Sequence, residues 1–448
     1  MGKRQRFDQD EQQEDSVGEM HPRNIYKDNP PDFTALAQQY ESFRPFVLGG
    51  TRPYIDFKNP EAVRELTCCL LKHDFDLDVH FPLNRLCPPI PNRLNYLLWI
   101  EDLLEESSIS DNKKNVMGID IGVGASCIYP LLGCQMHPHW RFLGTELDAE
   151  SFDYAKKNVD RNGLQDRISL VLNKDENKIF LLDPSIDSYD FCMCNPPFYA
   201  SQEELQQGLE NKELEPSAIC TGTTSEMITE DGEYGFIKRM ILESKRYKYR
   251  IQWYTSMMGL KRTIRPITQL LKQQGITNYV VTEFCQGRTK RWGIAWSFSS
   301  TRIVKSKSLE SYRPKSQFTV NLSLSLSRTK ECLLAILTDL DIPIPSSTSD
   351  NTLRISPPTN TWSRAARRLR KRQKHEQQQE NTSTPSNLPS LSLMMECSLL
   401  AHGDTQCQLR LSWLKGDDRA VFESFWNHVK KRMEQEAGIY TGSTFQPT

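Results

Sequence analysis

Residues 116–126, which read Val-Met-Gly-Ile-Asp-Ile-Gly-Val-Gly-Ala-Ser, decide the fold class. A short apolar run opens into a glycine-rich turn, and a second apolar stretch follows at 128–132. Glycines let the backbone turn tightly between a strand and a helix, which is typical of nucleotide-binding sheets. Apolar runs at 140–145, 168–172 and 189–194 predict further strands, and a helical stretch lies between the first two. Strands that alternate with helices predict a Rossmann-like α/β fold with a mostly parallel sheet, covered on both faces.

Two acidic residues near the glycine turn indicate the ligand. Asp120 lies beside the turn, and Glu146 stands about 24 residues after it, at the end of the next predicted strand. A carboxylate at that place can accept both hydroxyls of a nucleoside ribose. The third glycine of a dinucleotide fingerprint is absent, and Asp120 would repel a phosphate but tolerate the ammonium group of a methionine. We therefore predict S-adenosylmethionine as the cofactor. The alternative is a plain strand-to-helix turn with a surface glutamate.

The sequence Asn195-Pro196-Pro197-Phe198 closes the fourth predicted strand, 75 residues after Asp120. This spacing fits three strand–helix units, so both motifs should lie at the carboxyl edge of the sheet, where ligands bind in open α/β folds. The Asn195 side-chain carbonyl and the Pro196 backbone carbonyl can accept both N–H groups of an exocyclic aromatic amine. Consecutive prolines fix these acceptors, and Phe198 can stack on a base. The motif predicts methyl transfer to such an amine; a turn that merely ends a strand is the alternative.

Composition divides the chain into segments. We predict a disordered tail at 1–22, a globular region at 23–300, a linker at 301–316, and a small α+β domain at 317–448, which a disordered insertion at about 345–390 splits. No apolar segment approaches the ~20 residues of a membrane span. The twelve cysteines are scattered without paired C-x-x-C sets, which favours reduced thiols in an intracellular protein over disulfides or a metal site.

The sequence resembles the family of U6 small nuclear RNA adenosine-N6 methyltransferases (methyltransferase-like protein sixteen) and its bacterial ribosomal RNA relatives. The similar stretches are 29–33, 59–64, 118–130, 190–198 and 282–292. The resemblance implies a class I methyltransferase domain with an N-terminal helical RNA-binding module. It also implies that the split C-terminal domain is an accessory RNA-binding domain.

The same resemblance implies roles for individual residues. Residues 195–198 would hold the adenine, and the loop at 173–180 would be able to occlude the cofactor pocket, with Lys178 as the plug. Two departures from the family pattern are Val123, where threonine is usual, and the acidic pair Asp175 and Glu176 within that loop. The predicted cofactor contacts are Arg93, Asp120, Gly122, Gly124, Ser126, Glu146, Ile179 and Asn195.

Basic residues concentrate in three places that predict RNA contacts. The stretch from 238 to 265 contains nine basic residues and a single acidic one, Glu243, with aromatic residues interleaved. Residues 287–292 form a second basic loop, and seven of the eleven residues at 364–374 are basic, which also suits nuclear localisation. Cations neutralise phosphates while rings stack on unpaired bases. The predicted RNA-binding residues are Lys27, Lys178, Lys245, Arg246, Lys261, Arg262, Arg288, Lys290, Arg291, Arg364, Arg367, Arg368 and Arg370.

We thus predict an RNA N6-adenosine methyltransferase that acts on structured RNA: U6 small nuclear RNA, hairpins with an ACAGA-type loop, and methionine adenosyltransferase transcripts. We expect a monomer in the nucleus, with the cytoplasm as a second compartment and no membrane association. The alternatives are methylation of protein glutamine or DNA adenine, and a non-catalytic RNA-binding splicing scaffold. The basic-aromatic stretches favour RNA over a protein amide, and intact Asp120, Glu146 and Asn195 favour an enzyme.

Overall fold

The computed structural model describes residues 19–107, 115–204, 227–287, 289–306, 308–345, 351–363, 366, 368 and 390–438. These residues form two compact units. The first unit is the chain up to Phe298 together with Ser306–Arg313, and the second is Ser299–Lys305 together with the chain from Pro314 onward. No helix among the described residues has both the length and the apolar character needed to cross a membrane.

The segment at 301–316, expected to be a linker, is divided between the two units. In the first unit, Leu309 donates its backbone N–H to the carbonyl oxygen of Val281 at 2.7 Å. In the second unit, Arg302 donates its backbone N–H to the carbonyl oxygen of Leu414 at 2.8 Å. Backbone hydrogen bonds therefore attach each part of this segment to the sheet of its own unit.

The first unit begins with a largely helical segment. Helix α1 (Phe33–Gln39) starts at Asp32, whose side chain accepts two backbone N–H groups, and Asn59 caps α2 (Pro60–Phe75) in the same way. A short hairpin of β1 (Val47–Leu48) and β2 (Tyr54–Ile55) lies between them, and α3 (Ile90–Ser107) follows.

The start of the chain contacts α3. His21 donates its backbone N–H to Asn95 Oδ1 at 2.9 Å, and Arg23 forms ion pairs with Glu101 at 2.6 Å and Asp102 at 2.5 Å. Residues 19–22 of the predicted tail are thus held by helix α3, whereas residues 1–18 lie outside the described residues.

The sheet of the first unit has the strand order β5-β4-β3-β6-β7-β9-β8. Strands β3 to β7 pair in parallel, and β9 is antiparallel to both β7 and β8, which confirms the mostly parallel α/β sheet. The strand order reverses between β3 and β6, so the crevice for a ligand opens at their carboxyl ends, where Ile121 pairs with Cys194. The strands are β3 (Val116–Ile121), β4 (Trp140–Glu146), β5 (Ile168–Leu172), β6 (Tyr189–Cys194), β7 (Ile251–Met258), β8 (Asn278–Gln286) and β9 (Thr289–Ser297).

Helices connect these strands. They are α4 (Ile128–Met136), α5 (Ala149–Arg161), α6 (Gly232–Tyr247) and α7 (Ile264–Gln273). An apolar core packed against them includes the fully buried Phe180, Tyr254 and Trp296. Close packing reaches the backbone of β3, since a Cβ on Gly118 would lie 2.5 Å from a ring carbon of Phe191.

The second unit is a four-stranded antiparallel sheet in the order β10-β13-β12-β11. Its core residues come from the sheet and from two helices, which confirms a small α+β domain. The apolar segment at 393–414 contributes two strands, because the chain turns back at 402–406, where His402 donates its N–H to Gln406 O at 2.9 Å. The elements are β10 (Gln317–Leu322), α8 (Leu326–Asp339), β11 (Thr352–Ile355), β12 (Leu393–Ala401), β13 (Cys407–Gly416) and α9 (Arg419–Glu436).

Candidate active site

A cavity lies at the carboxyl edge of the first sheet, where the strand order reverses between β3 and β6. Its walls are the turn after β3, the end of β4, the loop after β5, the turn after β6, and side chains from α3 and α6. The cavity brings together most of the predicted cofactor residues, namely Arg93, Gly122, Gly124, Ser126, Glu146, Ile179 and Asn195. Asp120 is not among the lining residues.

The glycine turn is built as the sequence predicts. Gly122 and Gly124 both have left-handed backbones, with φ of 75° and 62°. The turn is tied to β4, because Thr145 O accepts the backbone N–H groups of Gly122 at 2.9 Å and Val123 at 3.0 Å. A side chain at these glycines would strain the backbone, so the motif needs glycine.

Glu146 connects this turn to the next loop. Its Oε2 accepts the backbone N–H of Gly124 at 2.8 Å, and its Oε1 accepts those of Leu147 at 2.9 Å and Asp148 at 3.0 Å. The carboxylate therefore fixes two loops that line the cavity.

Two ionisable side chains near the turn are buried. Asp120 is fully buried, and neither of its carboxylate oxygens accepts a hydrogen bond from the part of the chain that the structure describes. The pKa of Asp120 is raised to about 8. Burial is the main cause, Arg93 lowers this pKa, and Glu146 raises it. Arg93 is 6% exposed and donates to the Tyr129 hydroxyl at 2.7 Å, while its Nε finds no acceptor among the described residues.

The Asn195–Phe198 turn leaves β6 next to the glycine turn. Asn195 Oδ1 is buried and accepts no hydrogen bond from any described residue, and Pro197 also lines the cavity. Behind the turn, the Tyr96 hydroxyl bonds to Thr255 Oγ1 at 2.7 Å and accepts the backbone N–H of Cys194 at 3.3 Å. The turn is thus supported from the core, while its amide oxygen is left open for a ligand.

The loop at 173–180 closes another side of the cavity. Asn173 donates its backbone N–H to Glu146 O at 2.7 Å and its side-chain N–H to Lys178 O at 2.8 Å. Lys178 is exposed and also lines the cavity, as does Glu176.

Sequence reasoning missed three residues on helix α6. Glu243, the single acid of the basic stretch, accepts the backbone N–H groups of Ile179 at 3.0 Å and Phe180 at 3.1 Å. Phe236 lines the cavity, and Glu233 is buried next to the segment after β7. These residues carry no local motif, because tertiary packing alone brings them to the site.

The predicted RNA-binding residues fall into separate groups. Lys261 and Arg262 follow the carboxyl end of β7, where Arg262 pairs with Glu204, and both are exposed. Lys290 pairs with Glu283 at 3.7 Å, and the Arg291 guanidinium lies 5.7 Å from the centroid of the Phe198 ring. The Arg291 guanidinium therefore places a positive charge beside the Phe198 ring.

Other predicted residues lie elsewhere. Lys245 and Arg246 are in the last turn of α6, which leads into the amino end of β7, and Lys245 donates to Gln274 at 2.8 Å. Lys27 pairs with Glu19 at 3.1 Å, and Arg368 is exposed in the second unit. Arg288, Arg364, Arg367 and Arg370 lie outside the described residues.

Curated relatives are similar over most of the chain. A human protein named RNA N(6)-adenosine-methyltransferase METTL16 is 42% identical over 388 residues, which are 79% of this chain and 68% of that protein. A Schizosaccharomyces pombe protein named U6 small nuclear RNA (adenine-(43)-N(6))-methyltransferase is 40% identical over 386 residues, which are 85% of this chain and 95% of that protein.

Solved structures are similar to the first unit. The human METTL16 catalytic domain in complex with MAT2A 3′UTR hairpin 1 superposes with a TM-score of 0.58 at 46% identity, covering 64% of this chain and 99% of that one. The N-terminal domain of human METTL16 in complex with SAH gives a TM-score of 0.53 at 45% identity, covering 62% and 98%. A family model described as RNA methyltransferase matches residues 14–300. The predicted family is thereby confirmed: the chain belongs to this RNA methyltransferase family.

Proposed function

We propose that this chain methylates the N6 amine of an adenosine in structured RNA, with S-adenosylmethionine as the methyl donor. The observation that carries this proposal is the buried Asn195 Oδ1, an acceptor that no described residue satisfies, in the wall of the cavity that Glu146 and the glycine turn line. A buried polar atom without a partner is costly, so such an acceptor indicates a ligand that donates to it.

The residues of the cavity fit the donor. Glu146 stands where a carboxylate accepts ribose hydroxyls, and the left-handed backbone at Gly122 and Gly124 lets a nucleoside approach closely. The Arg93 Nε, which no described residue satisfies, suits the carboxylate of the methionine part. Asp120, whose pKa is raised to about 8 in the ligand-free protein, would ionise when the ammonium group of the methionine part binds near it. When bound there, the donor supplies an electrophilic methyl group.

The acceptor chemistry follows from the Asn-Pro-Pro-Phe turn. An exocyclic adenine amine is a weak nucleophile, because its lone pair is delocalised into the ring. Asn195 Oδ1 and the Pro196 carbonyl accept its two N–H groups, orient the nitrogen and favour its pyramidal geometry. These acceptors are preorganised by the prolines and by Tyr96, so little reorganisation is needed in the transition state. Phe198 stacks on the base, which contributes about 1–3 kcal/mol.

The relatives suggest the RNA. The named substrate of the S. pombe relative is U6 small nuclear RNA, and a MAT2A 3′UTR hairpin is bound in the human structure. We propose the same two kinds of RNA for this chain, with action in the nucleus on U6 RNA and in the cytoplasm as well. Lys261, Arg262, Lys290 and Arg291 contact the RNA near the methylated base.

For the remaining charges, we propose further RNA contacts. Lys27 and Arg288 bind the RNA from the domain at 23–300, and Lys178 reaches the same RNA from the loop at 173–180. The domain at 317–448, with the basic run that contains Arg364, Arg367, Arg368 and Arg370, increases RNA affinity.

The test is transfer of a labelled methyl group from S-adenosylmethionine to a U6-like hairpin with an ACAGA loop. We expect the label as N6-methyladenosine, and we expect it to be lost with Asn195→Ala and with guanosine in place of the target adenosine. Hairpin binding and donor binding without any transfer would instead indicate a non-catalytic scaffold or a different acceptor.

A further inference from the structure

Glu233, in the first turn of α6, is a buried carboxylate that the reaction as described does not use. It is 2% exposed, and both of its oxygens point to the segment that follows β7. Oε2 accepts the backbone N–H of Gly259 at 2.6 Å, and Oε1 accepts that of Leu260 at 3.1 Å and the Thr263 hydroxyl. Three donors thus converge on one buried acid, and they hold residues 259–263 in a single conformation.

This segment forms one wall of the Phe198 site. A Cβ placed on Gly259 would lie 2.7 Å from Cδ1 and 3.0 Å from Cε1 of Phe198, so the ring packs directly on the Gly259 backbone. The same Cβ would lie 3.3 Å from Glu233 Oε2. Glycine at 259 and the carboxylate at 233 therefore fit together around one edge of the ring.

Two further groups lie close to Phe198, one at its backbone and one at its ring. The start of α6 packs on the backbone that follows the ring, since a Cβ on Gly232 would lie 3.2 Å from the carbonyl oxygen of Phe198. The Arg291 guanidinium lies 5.7 Å from the ring centroid, within the range of a cation–π contact. Arg291 is also close enough to Glu233 to interact with its charge.

We propose that Glu233 is a positioning residue for the methyl acceptor: it holds the 259–263 segment against Phe198 and so fixes the ring on which the adenine stacks. This inference rests on the proposed function, because it concerns the acceptor side of the same reaction. Glu233 touches neither substrate, and it acts through Gly259 and Phe198. A small displacement of a positioning group is sufficient to reduce the rate, by roughly 100-fold for a 1 Å error.

The principal test is Glu233→Gln in the full chain, with steady-state kinetics toward the U6-like hairpin. The NH2 group of the glutamine would face one of the backbone N–H groups that now donate to Glu233. The 259–263 segment would thereby lose a hydrogen bond, while the side-chain volume stays the same. We expect kcat to fall about 10- to 100-fold with the KM for S-adenosylmethionine unchanged within about twofold. Gly259→Ala, whose Cβ would push on the Phe198 ring from the 259–263 segment itself, should give the same pattern.

Glu243→Gln is the matched control. Glu243 is on the same helix and also accepts two backbone N–H groups, but those belong to the loop that lines the cofactor cavity. We expect this variant to raise the KM for S-adenosylmethionine and to leave kcat close to that of the wild type. The inference would be overturned by a Glu233→Gln variant with wild-type kcat. It would also be overturned by a variant whose affinity for S-adenosylmethionine falls as much as its kcat.

A spectroscopic readout separates this inference from the proposed function. With 4-fluorophenylalanine placed at position 198, the ¹⁹F resonance reports the ring environment without any methyl transfer. Glu233→Gln and Gly259→Ala should shift or broaden this resonance, and Glu243→Gln should not. If the wild type transferred no methyl group to RNA, the proposed function would fail, whereas an unchanged resonance in Glu233→Gln would refute the positioning role alone.

Discussion

The carboxylate of Glu146 accepts the backbone N–H of Gly124 at 2.8 Å, so the end of β4 holds the turn that follows β3. Its second oxygen holds the backbone of Leu147 and Asp148. One side chain thus shapes two adjacent walls of the cofactor cavity before any ribose hydroxyl reaches it. This dual role separates Glu146 from a residue that only contacts the ligand.

Glu146→Gln should therefore weaken cofactor binding by more than the loss of one ligand contact. The amide nitrogen would face a backbone N–H, and the glycine turn would lose its partner. We expect the Kd for S-adenosylmethionine, measured by isothermal titration calorimetry, to rise at least tenfold, or about 1.4 kcal/mol. Hairpin affinity should stay within about twofold, since the Glu146 carboxylate holds loops of the cofactor cavity and not the segments that carry Lys261 and Arg262 or Lys290 and Arg291. Equal losses in both affinities would contradict this assignment.

Asp120→Asn should stabilise the ligand-free protein in a pH-dependent way. The pKa of Asp120 is raised to about 8 in the folded state, so the folded protein binds a proton that the unfolded chain releases. Stability contributed by this group falls as pH rises from about 4 to about 8 and then stays constant. The Tm of Asp120→Asn should exceed that of the wild type by an amount that grows as pH rises across that window and reaches on the order of 5 °C.

Thermal unfolding of wild type and Asp120→Asn at pH 5, 6, 7 and 8 tests this expectation. The cost of burying a charge appears only in the carboxylate, so the curves should converge toward low pH. Cofactor affinity should decrease in the same variant, because the ammonium group loses its counter-charge. A constant Tm difference over the whole window would show that Asp120 is not the titrating group.

Local patterns were sufficient to predict the parallel part of the sheet. Each strand from β3 to β6 is a short apolar run, and the motifs that follow β3 and β6 lie side by side because these strands are neighbours. The antiparallel β8–β9 hairpin and the turn at 402–406 depend on pairing between segments, which periodicity does not specify. Apolar runs in the sequence therefore predict where these strands lie, but not which strand pairs with which in the antiparallel parts of the sheets.

The residues missed at the site have a common physical origin. Glu233, Phe236 and Glu243 are on one helix that begins 34 residues after Phe198. Glu233 and Glu243 accept hydrogen bonds from two different loops, and Phe236 lines the cavity. In the sequence they look like ordinary positions of an amphipathic helix. Asp120 illustrates the reverse case, because its place beside the glycine turn suggested a cavity wall, yet the strand buries its carboxylate behind that wall.

The basic stretch at 238–265 should divide into two functional parts. Lys261 and Arg262 are at the carboxyl edge of the sheet near Phe198, whereas Lys245 and Arg246 precede the opposite end of β7. We expect Lys261→Ala with Arg262→Ala to weaken hairpin binding at least tenfold and to reduce the salt slope by about 1–2. The matched double variant Lys245→Ala with Arg246→Ala should change affinity by less than threefold. Fluorescence anisotropy over a salt series measures both, and equal effects would show that RNA reaches both edges.

Arg291 and Lys290 are adjacent on β9, and their contacts predict different consequences of removing each charge. The Arg291 guanidinium lies over the Phe198 ring, whereas Lys290 pairs with Glu283 at 3.7 Å. Arg291→Ala removes both a phosphate-binding charge and a support of the ring, so kcat and hairpin affinity should each fall about tenfold or more. Lys290→Ala should lower hairpin affinity only modestly, because Glu283 already partly neutralises the Lys290 charge.

Arg291→Lys separates the two roles of the guanidinium. Lysine keeps the charge but loses the planar group that stacks on an aromatic face, so hairpin affinity should largely return while kcat stays low. Single-turnover methyl transfer at saturating hairpin measures the rate, and anisotropy with the same RNA measures the affinity. Full recovery of both with lysine would show that Arg291 acts through its charge alone, and that contacts other than the cation–π pair hold the Phe198 ring.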